Sequence, residues 1–395
     1  MTTTPMALFD AARAEMEGYV FTAESTLQPT WDVPEKIAIN VAVAGRSGIT
    51  PGSDPDYPMD IQEYVDSASQ VIEAGACGVH IDFTWVTDSS GRRLDRDLPS
   101  TEAYGLVLEP LRKRFGDAFV SNLNVLNGKT FEECLAPAVV GQAEVAPCAA
   151  GHPEAFVIPA VKTLLEHGVS PEIVIHSSGE VEFAKRRLFD TGIVGDGPTN
   201  WIILYGLPVD VGRTLVSGAW ANDTRSMATH LFLMVDQIRQ LDPRAAITVC
   251  AAGRAGLYIT TLATMMGLNI RVGLEDGCWR CPNSNELTAS NLELLTRART
   301  IAAELGRTPA TANEYRKPHD QGVLHPEQPI RRCRVGQLPE GRPPPGTATS
   351  RPTAARTTGR LSRNGAEQAP DRRRRSQPGC GHARRSWPGP GRRGS

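Results

Sequence analysis

Histidine, asparagine and acidic residues stand at the ends of apolar segments in this sequence, and these residue types bind divalent cations or transfer protons. His80 and Asp82 are one residue apart in the segment CGVHIDFTW, and Glu275 and Asp276 are adjacent in RVGLED. One imidazole with carboxylates is a mixed nitrogen and oxygen set that suits zinc, manganese or iron. We therefore predict a divalent-metal site of His80, Asp82 and Glu275. The alternative is an ordinary structural hydrogen bond between His80 and Asp82.

Further polar residues accompany this set. Arg271 lies four residues before Glu275 and can pair with either acidic neighbour, and the alternative for it is a buried salt bridge. Asn122, Asn124 and His176 end other apolar segments, and we predict that they contact a substrate. His176 can instead serve as a replacement metal ligand, or as a hydrogen-bonding group at a strand end.

Apolar segments rich in β-branched residues alternate eight times with helical patterns. These elements have to position the polar side chains described above. The predicted strands are residues 37–44, 77–85, 118–126, 143–148, 172–176, 200–205, 246–251 and 269–274. Their near-continuous hydrophobicity indicates strands that are covered on both faces, as in a parallel sheet. Eight such units in about 280 residues predict an α/β fold, the (β/α)8 TIM barrel, whose functional residues collect at the C-terminal ends of the strands. An open doubly wound sheet is the alternative, although no glycine-rich phosphate loop follows the first strand.

The chain of 395 residues consists of two parts with opposite charge. Its formal charge of −2 is the sum of two parts. The tail, residues 318–395, has 16 basic and 5 acidic residues, and the rest of the chain has a formal charge of −13. The tail holds 12 Pro and 11 Gly, and such a composition buries too little apolar surface to fold. We predict an N-terminal extension (1–35), a catalytic barrel (36–317) and a disordered, basic Pro/Gly/Arg-rich tail. We interpret the tail as a frameshift product rather than a nucleic-acid-binding segment, because Trp387 is its only aromatic residue.

Several classes of protein are excluded by simple counts. No apolar run reaches the roughly 18 residues of a membrane span, and the N-terminus lacks a basic segment followed by an apolar block. Eight cysteines are too few for a disulfide scaffold, which indicates a reduced, cytoplasmic protein. The C-x-x-C of Cys278 and Cys281 is isolated, so we interpret it as two loop thiols rather than a redox or metal motif.

The sequence resembles the β-keto acid cleavage enzymes, the family typified by 3-keto-5-aminohexanoate cleavage enzyme. The resemblance rests on residues 249–279, VCAAGRAGLYITTLATMMGLNIRVGLEDGCW, of which A-G-R and RVGLED are the specific parts. Supporting segments are AGACGVHID (74–82), GVSPEIVIHSSG (168–179) and LGRTPATANE (305–314). Together they cover about residues 37–316.

The resemblance implies a TIM barrel with a catalytic divalent metal, usually zinc, that condenses a β-keto acid with acetyl-CoA to give acetoacetate and an acyl-CoA. His80 and Glu275 would be metal ligands, Asp276 the general base and Arg271 the residue that orients it. Arg254 becomes a candidate for binding the phosphates of CoA. Homotetramers and a place in amino acid catabolism are also implied.

The sequence departs from the family pattern at the second ligand histidine, which is Asp82 here. A carboxylate hardens the site and favours Mn²⁺ or Mg²⁺ over Zn²⁺. The family usually has acidic residues after the first strand and at the position of His176. A barrel that binds a small carboxylate without turnover, and a metal-dependent aldolase or isomerase that acts on a keto acid, therefore remain as alternatives.

Deleting residues 318–395 should leave a folded, soluble barrel that retains metal binding. The reason is that the tail contributes little apolar surface to a core. Far-UV circular dichroism and thermal unfolding of the truncated and full-length chains, side by side, measure this. Loss of soluble protein on truncation would contradict the division into barrel and tail.

Overall fold

The computed structural model describes residues 5–17, 33–44, 57–124, 128–195, 197–205 and 223–321. Within these residues, eight parallel strands form a closed barrel in chain order. The strands are β1 Ile39–Ala44, β2 Gly78–Asp82, β3 Val120–Leu123, β4 Val145–Ala149, β5 Ser170–Ile175, β6 Asn200–Tyr205, β7 Ala246–Ala251 and β8 Asn269–Val272. Asn40 of β1 is in register with Gly78 of β2 and with Arg271 of β8, so the first and last strands close the barrel. The predicted TIM barrel is confirmed.

A helix follows each strand and covers the barrel from outside. These helices are α1 Ile61–Glu73, α2 Ser100–Phe115, α3 Phe131–Val139, α4 Glu154–Glu166, α5 Ser178–Ala184, α6 Thr224–Leu241, α7 Gly256–Met265 and α8 Asn291–Glu304. A π-helical turn, Lys185–Phe189, extends α5, and a 3₁₀ turn, Gly253–Ala255, precedes α7. A separate helix, Pro5–Glu17, lies near the N-terminus, and α9, Ala312–Gln321, follows the barrel. None of the described helices is long and apolar enough to cross a membrane.

Three parts of the sequence analysis fall mostly or wholly on residues that the structure does not describe. One is the N-terminal extension (1–35), of which residues 5–17 and 33–35 are described. Of the predicted tail, residues 318–321 continue α9, and residues 322–395 lie outside the described part. The segment after the first strand, where the family usually has an acidic residue, also lies outside it, in residues 45–56.

The starts of three barrel helices are fixed by side-chain caps. Asp60 accepts the backbone N–H of Glu63 at 2.9 Å, and Glu63 accepts that of Met59 in return. The same reciprocal arrangement starts α3 with Thr130 and Glu133, and α8 with Ser290 and Glu293. Such caps satisfy backbone donors that the first turn leaves free. They therefore fix where the chain turns from a strand end into each helix.

The N-terminal end of the barrel is closed by α9. Its Tyr315 is buried with Ala38, Val120 and Val145, and the Tyr315 hydroxyl accepts a hydrogen bond from Asn200 Nδ2 at 3.0 Å. Since this end is filled by the helix, a ligand has to enter the barrel at the C-terminal ends of the strands.

One glycine permits the turn after β8. A Cβ atom built on Gly273, whose φ is +154°, would lie 2.2 Å from the carbonyl oxygen of Ala42 in β1. No other residue type can approach β1 this closely. The contact fixes the direction in which the chain leaves β8, and hence the position of Glu275 and Asp276 just beyond.

A buried arginine outside the barrel connects the segment before β1 with the segments that follow α7 and α8. A two-residue parallel pair, Lys36–Ile37 with Thr308–Pro309, precedes β1 and follows α8. Arg307, which directly precedes Thr308 of this pair, is 2% exposed. It donates to five main-chain carbonyls, those of Pro34, Lys36, Thr264, Gly267 and Leu268. Burial lowers the pKa of Arg307 to about 10.

Replacing Arg307 with Met should lower the free energy of unfolding by about 3 to 5 kcal/mol, because buried carbonyls lose their donors. Chemical denaturation measures the change. Arg299→Met is the matched control, since Arg299 is exposed on α8 and donates to the single carbonyl of Ala74. We expect a loss of at most about 1 kcal/mol for the control. Equal losses in the two variants would show that the five-carbonyl site does not support the fold.

Candidate active site

A chain of hydrogen bonds across the barrel interior fixes the imidazole of His80. The side chain of Asn122 on β3 donates from Nδ2 to Glu172 Oε2 on β5 at 3.1 Å. Its Oδ1 is therefore the atom that faces His80 Nδ1, at 2.9 Å, and Nδ1 must carry the proton. His80, Asn122 and Glu172 are all buried. The arrangement leaves His80 Nε2 as the atom that is available for other chemistry.

Glu275 faces this nitrogen. His80 Nε2 and Glu275 Oε1 are 3.5 Å apart, and Arg271 Nη2 is 3.6 Å from the same oxygen. Burial is the largest single effect and opposes charge on His80 and on Glu275, but their mutual attraction and the neighbouring hydrogen bonds together outweigh it. The pKa of His80 is therefore raised, and Arg271 helps to hold the pKa of Glu275 well below its ordinary value. The second oxygen, Oε2, is buried and has no hydrogen-bond partner among the described residues.

Arg271 and Asp276 form a bidentate pair beside them. Arg271 Nε lies 3.1 Å from Asp276 Oδ2, and Nη2 lies 2.6 Å from Oδ1. Both side chains are buried, at 4% and 7% side-chain exposure. Burial and the charge of Glu275 raise the pKa of Asp276, and Arg271 opposes them without cancelling the shift. The backbone of Asp276 also accepts the N–H of Gly253 at 2.7 Å, which ties the turn after β8 to the end of β7.

The carboxylate of Asp82 is held by neighbours on its own side of the barrel. Oδ1 accepts the backbone N–H and the hydroxyl of Thr84, at 2.9 and 2.5 Å, and Oδ2 accepts Nδ2 of Asn124 at 3.1 Å. Burial and the charge of Glu275 raise the pKa of Asp82. The predicted Asp82 and Asn124 thus contact each other, and both lie at C-terminal strand ends.

The donor set fits a divalent cation in part. No group of three or more His, Cys, Asp or Glu side chains in the described residues is arranged to hold a metal. Nevertheless, His80 Nε2 and the two oxygens of Glu275, one of them without a partner, are the kinds of ligand that zinc takes. His80 also donates from Nδ1 to Asn122, and metal-binding histidines need such a hydrogen bond to fix the orientation of the ring.

A second buried cluster, which the sequence only hinted at, lies at the ends of β4 and β5. The backbone N–H and Nδ1 of His176 approach Glu180 Oε2, at 2.6 and 3.1 Å. A Cβ on Gly151 would lie 2.5 Å from Glu180 Oε1, so the loop after β4 closes over this carboxylate. Burial and the charge of His176 lower the pKa of His152 in that loop. The four-residue spacing of His176 and Glu180 at the start of a helix was the available signal.

Arg254 lies apart from the His80–Glu275 pair. Its guanidinium lies over the ring of Trp279, 3.8 Å from the ring centroid, and donates to the carbonyls of Pro282 and Ser284 and to Asn285 Oδ1. Cys278 and Cys281 are free thiols in the same loop. Arg254 is therefore held by the loop that follows β8.

The structure brings together His80, Glu275, Arg271 and Asp276 as one cluster, with Asn122 behind His80. Asp82 and Asn124 form a pair of their own, and His176 belongs to the cluster with Glu180. Sequence reasoning missed Glu172, Glu180 and His152. Glu172 lies inside a strand, and from the sequence it looks like an ordinary strand residue. Its role depends on its contact with Asn122 from another strand.

Comparisons with known proteins agree with this architecture. The model of the beta-keto acid cleavage enzyme family matches residues 36–318. A 3-keto-5-aminohexanoate cleavage enzyme of Fusobacterium nucleatum is 26% identical over 72% of this chain and 97% of its own length. One from Acetoanaerobium sticklandii is 25% identical over the same shares. The solved apo structure of ObcA has a TM-score of 0.55 at 17% identity, and the match covers 68% of this chain and 66% of that one.

The ObcA likeness supports the barrel fold alone. The family match spans most of the chain and includes every barrel strand and the cluster of His80, Glu275, Arg271 and Asp276. This chain is therefore a member of the beta-keto acid cleavage enzyme family.

Proposed function

We propose that the protein is a metal-dependent enzyme that condenses a β-keto acid with acetyl-CoA and releases acetoacetate and a new acyl-CoA. The observation that carries the proposal is the buried Arg271–Asp276 pair beside the facing pair of His80 and Glu275. One pair supplies a base and the other supplies ligands for a cation. An exchange of acyl groups through an enolate needs both.

Asp276 is the proposed general base. Its raised pKa makes it a stronger proton acceptor than an ordinary aspartate, and the bidentate contact with Arg271 holds its orientation. In the forward step, Asp276 takes a proton from the carbon between the keto and carboxyl groups of the substrate. The resulting carbanion displaces CoA from the acetyl thioester. The released thiolate then attacks the other keto carbonyl and breaks its bond to the central carbon, which gives acyl-CoA and the carbanion of acetoacetate. Asp276 returns its proton to that carbon and is regenerated as the base.

His80 and Glu275 are the proposed metal ligands, with Asp82 as a further one. A bound divalent cation would act as a Lewis acid on the keto and carboxylate oxygens of the substrate. Asn122 serves this site as a positioning residue, because its amide already binds His80 and Glu172. Asn124 and His176 remain the proposed substrate contacts on neighbouring strand ends.

A second candidate function is a barrel that binds a small carboxylate without turnover. It is favoured by Asp82, whose two oxygens are bound to Thr84 and Asn124, and by the lack of a three-ligand group among the described residues. Metal content distinguishes this candidate from the enzyme.

Incubation of the protein with a panel of β-keto acids and acetyl-CoA should release acetoacetate, which a coupled assay detects. Asp276→Asn should lower kcat by about 10² to 10⁴-fold, the usual contribution of a positioned base. Its metal content should match that of the wild type, and thermal unfolding should show a folded protein with a lower melting temperature, because Arg271 loses its charged partner. A metal-loaded wild-type enzyme that forms no acetoacetate with any acyl chain would contradict the reaction. Retained turnover in Asp276→Asn would contradict only the base.

Purified protein should contain about one equivalent of a divalent metal, and His80→Ala should lose most of it, because Nε2 is one of few available ligand atoms. Elemental analysis by mass spectrometry measures this. His167→Ala is the matched control, since His167 is exposed at the end of α4 and distant in sequence from the site. Wild-type protein that stays metal-free after supplementation would favour the binding barrel.

A further inference from the structure

Glu172 of β5 brings a carboxylate into the interior of the barrel, where it is 1% exposed. No ion pair among the described residues includes it, and Asn122 Nδ2 donates to its Oε2 at 3.1 Å. A buried carboxylate without a countercharge is costly. A glutamine of the same size could accept the same hydrogen bond from Asn122. Joining β5 to β3 therefore does not require the charge.

The two side chains differ in the direction of the hydrogen bond. A glutamine amide both donates and accepts, whereas a carboxylate only accepts. Opposite Glu172, the Asn122 amide must therefore present Nδ2, and this turns its Oδ1 towards His80 Nδ1, at 2.9 Å. Because that oxygen can only accept, the proton of a neutral imidazole lies on Nδ1. Through one amide, Glu172 thus determines which nitrogen of His80 is left without a proton.

Glu275 attracts this proton in the opposite direction. Its Oε1 lies 3.5 Å from His80 Nε2 and would accept an N–H on that nitrogen. The Glu275 side chain is 20% exposed, however, and Arg271 Nη2 lies 3.6 Å from the same oxygen, so the charge of Glu275 is partly compensated. Glu172 is more deeply buried, and reversing the Asn122 amide would place two oxygen atoms against each other there. The hydrogen bonds on the Nδ1 side therefore prevail.

We propose that Glu172 is a positioning residue for the metal site. Its carboxylate fixes the Asn122 amide, and the amide keeps Nε2 of the neutral His80 free of a proton and available to a cation. The proposal rests on the proposed function, because that function needs a metal at His80 and Glu275. It extends the site from the barrel mouth into β5 and accounts for an uncompensated charge in the barrel interior. Glu172 itself touches neither metal nor substrate.

Two variants move the charge that carries this role. Glu172→Met removes the acceptor and leaves the Asn122 amide free to turn, so Glu275 should draw the proton of His80 to Nε2. Adding Asn122→Asp to Glu172→Met moves the negative charge from β5 to β3. The new carboxylate can only accept, so it should return the proton to Nδ1 without any help from residue 172. A purely structural role for Glu172 predicts no such recovery.

Asp242→Asn is the matched control. Asp242 is also buried, but its carboxylate accepts the backbone N–H of Thr199, which directly precedes β6, at 2.8 Å. Thermal unfolding monitors the fold of every variant. Glu172→Gln replaces Glu172→Met if the latter does not fold, because an amide at this position can also donate and no longer determines how Asn122 turns.

Nitrogen NMR spectra of isotope-labelled, metal-free protein, recorded on the neutral imidazole, give the tautomer of His80. The proton should lie on Nδ1 in the wild type and the control, on Nε2 in Glu172→Met, and on Nδ1 again in the double variant. Competition with a chromophoric chelator measures Zn²⁺ binding. Glu172→Met should weaken it about 10- to 100-fold, the usual cost of losing a contact that orients a ligand, and the double variant should restore it.

The tautomer decides the proposal, and its measurement needs no metal. A proton that stays on Nδ1 in Glu172→Met, or that does not return to Nδ1 in the double variant, overturns the role of Glu172. A wild-type protein that binds no Zn²⁺, while its tautomer follows the variants as expected, would refute the proposed metal site alone. Zn²⁺ binding and acetoacetate formation with a tautomer that ignores the variants would refute the positioning role alone.

Discussion

Two consecutive carboxylates, the partly buried Glu275 and the buried Asp276, share one buried guanidinium, and the organisation of the active site follows from that constraint. Neighbouring negative charges in a poorly solvated interior are costly unless cations compensate them. Arg271 contacts both, with a bidentate bond to Asp276 and a longer approach to Glu275. Its closer contacts go to Asp276, so it compensates the charge of Glu275 only in part. Glu275 therefore needs a second positive partner, and His80 occupies that place.

In the proposed metal site, this second partner is either a proton or a metal. Because Asn122 holds the proton of His80 on Nδ1, Nε2 faces Glu275 either as N–H⁺ or as a free lone pair. In the first case a salt bridge forms. In the second, two electron-rich atoms face each other 3.5 Å apart, an arrangement that a cation between them would stabilise. Too little positive charge lies near Glu275. The raised pKa of His80 and the unpartnered Oε2 of Glu275 are both consequences of this.

The sequence predicted the barrel well because its signal is local. Runs such as IAINVAVA and capping pairs such as Asp60 with Glu63 determine a strand or a helix start from adjacent residues. The pairing of Arg271 with Asp276 was also accessible, since both belong to one turn. Glu172 was not, because its contact with Asn122 joins strands 50 residues apart. The contacts of the Arg254 side chain could not be predicted from the sequence either, since they depend on how the loop of Trp279 packs against the turn before α7.

Asp82, the proposed further metal ligand, shows how the effect of a carboxylate depends on its surroundings. An imidazole there would present one neutral nitrogen, whereas the carboxylate brings a further negative charge close enough to Glu275 to raise its own pKa. Thr84 and Asn124 partly offset that cost by donating hydrogen bonds to both oxygens. Oδ1 accepts two hydrogen bonds, whereas Oδ2 accepts one and retains a lone pair, so these bonds orient Asp82 without preventing Oδ2 from binding a cation. If the proposed metal site forms, the added charge would favour a harder cation than imidazole ligands alone would select.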